Sequence, residues 1–204
     1  MKLKWICYFL FLALGNAIGQ QAQQNLVYAN LGLNLGNYVG FDAELNYIRS
    51  GKYSFKLGYS GNIREPVSEP ADYSSGLTGA LLLGLANPFD QMEQIYAGAG
   101  RVWVLNPSGT IRLNAGIGLG FTIIREPGNW QRVQDNFLVE NYTWEYNRYN
   151  TFSLIFNPKI EFPITRFYGL FAAPFVQLNK DRTFFGISIG HMIGVLRSKE
   201  QSEE

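Results

Sequence analysis

The sequence predicts an all-β fold, an antiparallel up-and-down β-barrel of eight strands that crosses a membrane, with ten strands as the alternative count. Three observations carry that expectation. Apolar residues recur every second position, not at the helical period of about 3.6. Charged residues make up only 16% of the chain while aromatics reach 15%, against roughly 25% charged residues in soluble domains. The face opposite the apolar one is mostly Gly, Asn and Ser rather than Lys and Glu.

The chain opens with Lys2 and Lys4, an apolar run from Trp5 to Gly15, and small residues at Ala17 and Gly19. This reads as a secretory leader, 1–19, cleaved after Gly19; the run is too short to span a bilayer as a helix. Cys7, the only cysteine, lies within it, so the mature chain has neither a disulfide framework nor thiol chemistry. Removing the leader takes away two lysines and no acid, which moves the net charge from +1 to −1. A near-neutral chain is not expected to take nucleic acid as a partner. Residues 20–197 are the barrel domain and 198–204 a short polar tail.

Eight segments alternate well: 26–36, 40–50, 52–62, 93–105, 109–124, 150–163, 166–179 and 182–196. In the first, Val27, Ala29, Leu31, Leu33 and Leu35 oppose Asn30, Gly32 and Asn34. In the fifth, Ile111 through Ile123 supply every odd position with an apolar residue, against Arg112, Asn114 and three glycines. The fourth is weaker, with Arg101 opposite Val102 and Val104. Turn signals separate the segments at Ser50-Gly51-Lys52, Asn106-Pro107-Ser108-Gly109, 163–166 and 179–182.

A soluble β-sandwich also alternates, but its outer face is rich in Lys, Glu and Thr. Small polar residues suit a narrow lumen, and an apolar face free of charge for whole strands suits hydrocarbon, where one Lys or Arg costs roughly 2–4 kcal/mol. An even strand count puts both termini on the periplasmic side. The two long segments, Ile63 to about Met92 and Arg125 to about Asn150, then fall outside the cell as irregular connections. Leu77–Ala86 is apolar but barely alternates, so it is assigned to the first of these, as a helix or cap. Tyr142, Trp144 and Tyr146 share parity with Phe152 and Leu154, which extends the sixth strand above the membrane and places an aromatic girdle near the interface.

Several stretches give the chain a family likeness: Asn157-Pro158-Lys159-Ile160-Glu161-Phe162-Pro163, Tyr168-Gly169-Leu170, Asn179-Lys180-Asp181-Arg182-Thr183 and Asn141-Tyr142-Thr143. With these the chain resembles the small outer-membrane β-barrel proteins of Bacteroidota, an OmpA/OmpX-like architecture. The resemblance implies the fold and a bacterial outer-membrane location. It supplies no catalytic or binding residues.

Few residues suggest chemistry. Gly116, Gly118 and Gly120 lack the spacing and the following helix of a nucleotide loop; on one strand face they make room for inward Phe171 and Phe175. Asp42, Glu44, Lys56, Arg101, Arg112, Lys159 and Glu161 fall inward by parity. They are expected to form an ion-pair network that fills the lumen, with Glu44 beside Lys56, rather than to line a channel. His191 and Ser188, three positions apart on a strand, point to opposite faces, so a lipid-modifying histidine–serine site is not expected. Trp130, Tyr142, Trp144 and Tyr146, among polar neighbours, are the candidate extracellular recognition residues. No cofactor and no metal site is expected. The expected function is that of a non-enzymatic outer-membrane protein, structural or binding through its extracellular loops, with outer-membrane lipid and an unidentified protein or small molecule as partners. A lipid-modifying enzyme and a narrow pore or transporter are the alternatives.

Overall fold

The protein is described by a computed structural model covering residues 25–82, 87–133 and 138–197. The predicted leader with Cys7, the polar tail, residues 83–86 and Phe137 lie outside the described residues.

The strands are β1 (Leu26–Gly36), β2 (Val39–Arg49), β3 (Tyr53–Arg64), β4 (Asp90–Val104), β5 (Arg112–Arg132), β6 (Tyr142–Phe156), β7 (Lys159–Pro163), β8 (Tyr168–Leu178) and β9 (Thr183–Gly194), with one short helix, α1 (Gly76–Leu81). Each pairs antiparallel with its neighbour, and β1 pairs with β9, which closes the ring. β6 and β7 run in one register along β5 and in one register along β8, so they are a single strand interrupted at Asn157–Pro158. The ring therefore has eight strands. Pro158 has no N–H to donate, and Pro174 stands opposite it on β8 in that register. The β6/β7–β8 ladder stops at Phe156↔Val176 and resumes at Ile160↔Ala172.

The strands alternate as a barrel wall requires. On β1, Leu31 and Leu33 are more than half exposed while Asn30 and Asn34 are fully buried. On β5, Leu119 is 70% exposed and Thr122 is fully buried. The oily residues thus line the outside and the polar ones the inside. A closed ring satisfies every strand edge, which hydrocarbon demands. The apolar outer band along β1, Val27 to Leu35, spans about 20 Å along the barrel axis at a strand tilt near 40°.

Short connections cluster at one end. Ser50 and Gly51 both take positive φ, 53° and 63°, and Lys52 N–H closes the β2–β3 turn on Arg49 O at 3.0 Å. The β4–β5 turn closes from Gly109 N–H to Asn106 O at 3.1 Å, with Gly109 at φ 66°. Residues 164–167 join β7 to β8 at the same end. At the other end lie the two-residue Asn37–Tyr38 turn, the Asn179–Arg182 turn and the long 65–89 connection. The described part of Leu77–Ala86, which is α1 and Leu82, belongs to that connection and does not span.

Two sequence-based expectations change here. The segment 125–150 is not irregular: β5 and β6 continue past the barrel as a paired hairpin, broken only by a bulge between Gly128 and Gln131. Arg101 corrects the parity of β4. Ile95, Ala97 and Ala99 are its outward residues, while Met92, Tyr96 and Val102 are buried inside. Arg101 therefore points outward, near the short-turn end, in register with exposed Tyr53 and with its guanidinium 5.5 Å from the Trp103 ring. A cation at that height keeps its head in water while its stem covers apolar wall.

The wall predicts a difference between neighbours on β5. Leu119→Arg, facing hydrocarbon, is expected to impair barrel assembly far more than Gly118→Ala, whose added methyl would stand 3.0 Å from Ala97 O on the inner face. Loss of the heat-modifiable band on unboiled gels for the first variant and its retention for the second checks the assignment.

Candidate functional site

Two regions gather polar or aromatic side chains: the lumen, and the hairpin extension beyond the long-loop end.

The lumen contains two apolar clusters. One, at the short-turn end, comprises Leu26, Tyr28, Ile48, Val102, Phe171, Ala173, Met192 and Leu196. The other, towards the long loops, comprises Tyr38, Met92, Tyr96, Ile124, Ile155, Phe175 and Phe184. Phe171 and Phe175 thus fill the interior, as their parity predicts. Gly58 and Gly120 flank Tyr96 in register, and a Cβ on Gly58 would strike the Tyr96 ring.

Among these clusters runs a network of buried charge. Lys159 Nζ, fully buried, donates to Glu44 Oε1 at 2.6 Å from the opposite wall. Glu44 Oε2 accepts from Tyr96 Oη at 3.0 Å, and its Oε1 also accepts from Asn30 Nδ2 at 3.2 Å. Arg112 pairs with Glu161 at 2.8 Å, and Glu161 also accepts from Tyr28 and Asn114. Asp42 accepts from Ser188 Oγ at 2.5 Å. Six of the seven expected lumen residues are therefore brought inside, three acids and three bases, so their charges cancel. The expected Glu44–Lys56 pair is corrected. Lys56 lies beside Asn46 in register rather than beside Glu44, and its Nζ reaches Asn157 O at 3.4 Å. Adjacent strands are slipped by two residues relative to that expectation, and the cross-lumen reach of Lys159 takes the carboxylate instead. A second polar layer joins Gln94, Thr122, Ser153 and Gln177 by hydrogen bonds of 2.6–3.1 Å.

His191 points outward at the short-turn half. Its Nδ1 stands 2.8 Å from Tyr168 Oη, and the two rings lie 5.8 Å apart. Ser188 points inward, so the two occupy opposite faces of β9. Among the described residues no cluster of His, Cys, Asp or Glu is arranged to hold a metal.

The hairpin extension carries the candidate recognition residues on its outward side. The Trp130 ring packs 5.6 Å from that of Trp144 and 6.3 Å from that of Tyr142. The segment 66–78, from the β3–β4 connection, lies across this face as a strap. Its Tyr73 ring packs edge-on against both Trp130 and Trp144, at 5.6 and 6.2 Å, and burial pushes the Tyr73 phenol up to about 12. Ser68 accepts from Trp130 Nε1 and donates to Pro127 O. Asn141 accepts from Ser74 N–H through Oδ1 and donates to Asp72 O through Nδ2, while Asp72 accepts from Tyr142 Oη. At the tip, Thr78 of α1 bonds Leu138 O. Three of the four expected aromatics therefore hold the strap with one face, and Tyr146 is the most open, 42% exposed. Sequence reasoning did not single out the strap residues, because nothing local in 66–78 signals partners as distant along the chain as Pro127, Trp130 and Asn141.

No protein-family model and no curated protein sequence matches the chain. Solved structures do. A major outer-membrane protein from Thermus thermophilus superposes with a TM-score of 0.55 at 10% identity, covering 84% of this chain and 99% of that one. Ail, the attachment invasion locus protein of Yersinia pestis, gives 0.49 at 10% identity over 85% and 99%. The N-terminal β-barrel domain of Pseudomonas aeruginosa OprF gives 0.46 at 9% identity over 85% and 99%. At such identities the likeness is one of fold, and the Thermus structure carries it. The chain has the eight-stranded barrel fold of bacterial outer-membrane proteins, which points to the outer membrane.

Two variants probe these regions. Glu44→Gln leaves the Lys159 ammonium buried without its counter-charge and is expected to cost roughly 3–5 kcal/mol, read as a lower urea midpoint in lipid vesicles; adding Lys159→Met is expected to restore most of it. Trp130→Ala is expected to speed proteolysis within 66–78 while the barrel stays heat-modifiable.

Proposed function

We propose that the chain is a non-enzymatic outer-membrane β-barrel whose working surface is the extracellular hairpin with its strap, and whose lumen is a packed interior rather than a path. The observation that carries this reading is the lumen itself. Its three buried acids and three buried bases sum to no net charge, with two ion pairs among them, and apolar clusters stand at both halves. A conducting or selective pore needs a hydrated route lined by groups free to meet an ion; here Lys159 and Lys56 hold partners across the barrel and Arg112 holds Glu161 on the adjacent strand. For catalysis on membrane lipid, a histidine needs a nucleophile or an acid on its own face. His191 has Tyr168 and lies away from the long-loop end, which supports a binding or structural role over an enzymatic one.

The hairpin suits recognition because it is braced. Aromatic residues with few rotatable bonds give contact area at low entropic cost, and the strap fixes them before a partner arrives. Tyr146 and the open edges of Trp144 and Tyr142 are the proposed contact points for a protein or small-molecule partner. Export through a cleaved leader at 1–19, and membership of the small barrels of Bacteroidota, complete the proposal; the second rests on the Asn157–Pro163 stretch and the turns quoted with it.

Purified chain reconstituted in planar bilayers is expected to show no stepwise conductance. On arrays of glycans and extracellular-matrix proteins, its binding is expected to fall about tenfold or more for Tyr146→Ala, as for a recognition anchor. Reproducible channels, or binding insensitive to Tyr146, would contradict the proposal.

A further inference from the structure

Between Asp72 and Asp90 the sequence holds no charged residue, yet this stretch belongs to the long β3–β4 connection and not to the barrel wall. Outside hydrocarbon, large apolar residues are ordinarily folded away from water. Here several are not. In α1 only Gly79 is buried; Leu81 is 74% exposed, and Leu77 and Leu82 are close to half exposed. Leu77 and Leu81, four positions apart, share one face of the helix. Single exposed leucines need no explanation, whereas a contiguous group of them marks a contact surface.

The helix is seated on the tip of the β5–β6 hairpin, which enlarges the group. Thr78 donates to Leu138 O through both its N–H and its Oγ1, at 3.0 and 2.6 Å. Gly76 takes φ 63°, and a Cβ there would stand 2.6 Å from Val139 O, so glycine is what lets the two backbones approach. Leu138 and Val139 are themselves close to half exposed, and with Leu77, Leu81 and Leu82 they make one apolar crown. The crown stands well clear of the bilayer that holds the barrel. Tyr142, at the top of β6, lies ten residues beyond Phe152, the outward ring packed on Phe121. That is about 25 Å along the barrel axis at the strand rise and tilt of such a wall.

Acids surround the crown. In the described parts of 65–82 and 128–145 the charged residues are Glu65, Glu69, Asp72, Glu140 and Glu145 against Arg132 alone, and Arg132 is paired with Asp72 at 3.3 Å. After burial, Glu140 and Glu69 are what push the Tyr73 phenol up, which sets both carboxylates beside the strap at the foot of the crown. An excess of acid disfavours a second, identical crown and an anionic lipid surface, and suits an apolar partner edged with Lys or Arg. We infer that the crown docks a cationic amphipathic segment of another polypeptide. The apolar face of that segment lies on Leu77, Leu81 and Val139, as an amphipathic helix lies on an apolar seat, and its cations lie over Glu69 and Glu140. The hold of Gly76 and Thr78 on the hairpin tip fixes the seat beforehand, so binding has little left to order. This inference rests on the hairpin and strap being the working surface; it adds the chemistry of the partner and uses contacts other than Tyr146.

A photoreactive peptide of Leu and Lys with one apolar helical face, offered to the full folded chain in phosphatidylcholine nanodiscs, tests this. Adducts mapped by mass spectrometry are expected within 76–82 and 138–140. The same peptide with Glu in place of Lys is expected to give roughly a tenth of the yield or less. The variant L77S/L81S, checked for folding by heat-modifiability, is expected to lose roughly tenfold or more. E69Q/E140Q, which leaves the apolar crown intact, is expected to lose roughly threefold and to become less sensitive to salt. Y146A is expected to keep the wild-type yield, so failure of recognition through Tyr146 and failure of the crown are told apart. Equal adducts from the Glu peptide, undiminished adducts in L77S/L81S or E69Q/E140Q, or an equal loss in Y146A would each overturn the assignment. So would crown-to-crown dimers, or flotation with phosphatidylcholine vesicles that L77S/L81S abolishes, since these would give the crown to a second copy or to a lipid surface.

Discussion

Hydrocarbon on the outside is the constraint from which the rest of this structure follows. A backbone in lipid has no water to pair with, so its N–H and C=O groups must find one another. A ring of strands closed by β1 on β9 does this. Closure fixes the parity of every strand: oily residues out, polar residues in. It also makes the interior narrow. Eight strands leave room for side chains and little else, and glycines admit the larger ones, as Gly58 does for Tyr96 and Gly120 for Gln94 and Ile155.

A narrow interior in turn dictates how its charges behave. An ion buried there without a counter-charge would be strongly destabilising. Two of the lumen's acids are instead bonded to residues far along the chain, Glu44 to Lys159 over 115 positions and Glu161 to Arg112 over 49 and to Tyr28 over 133. The Lys159 and Tyr28 bonds tie opposite walls, so the network specifies one way of closing the ring as well as satisfying itself. A wall with a stiff interior then gives the β5–β6 hairpin a firm base from which to project.

Much of this was legible in the sequence, because alternation is a local signal and the barrel is built from it. All eight spanning segments, the short turns, and the inward placement of Phe171, Phe175 and six of the seven charged residues follow from parity alone. β4 misled because Arg101 suggested that its own side must be the wet one. Near the end of a strand an arginine can lie on the lipid side and reach water, so charge is a poor guide to parity there, whereas Ile95, Ala97 and Ala99 in mid-strand are a good one. The partner of Glu44 was also not legible: adjacency along the sheet can be read from sequence, but contact across the lumen depends on strand stagger. The strap over Trp130 and Trp144 was hidden for the same reason, since its hydrogen bonds link residues that no local pattern connects.

What surrounds Leu31, Leu119 and Phe156 decides between a barrel in lipid and a sheet packed on protein. Because the only cysteine lies at position 7, single cysteines placed at those sites in a chain lacking residues 1–19 can carry nitroxide labels in lipid vesicles, with Ser108 in the β4–β5 turn as the water reference. Collision rates with oxygen and with a water-soluble nickel chelate then report the surroundings. Frequent collision with oxygen and little with nickel at all three sites, and the reverse at Ser108, is the result expected of side chains bathed in hydrocarbon. Protection from both reagents at Leu31, Leu119 and Phe156 would mean that they are packed inside protein, and would contradict the barrel reading.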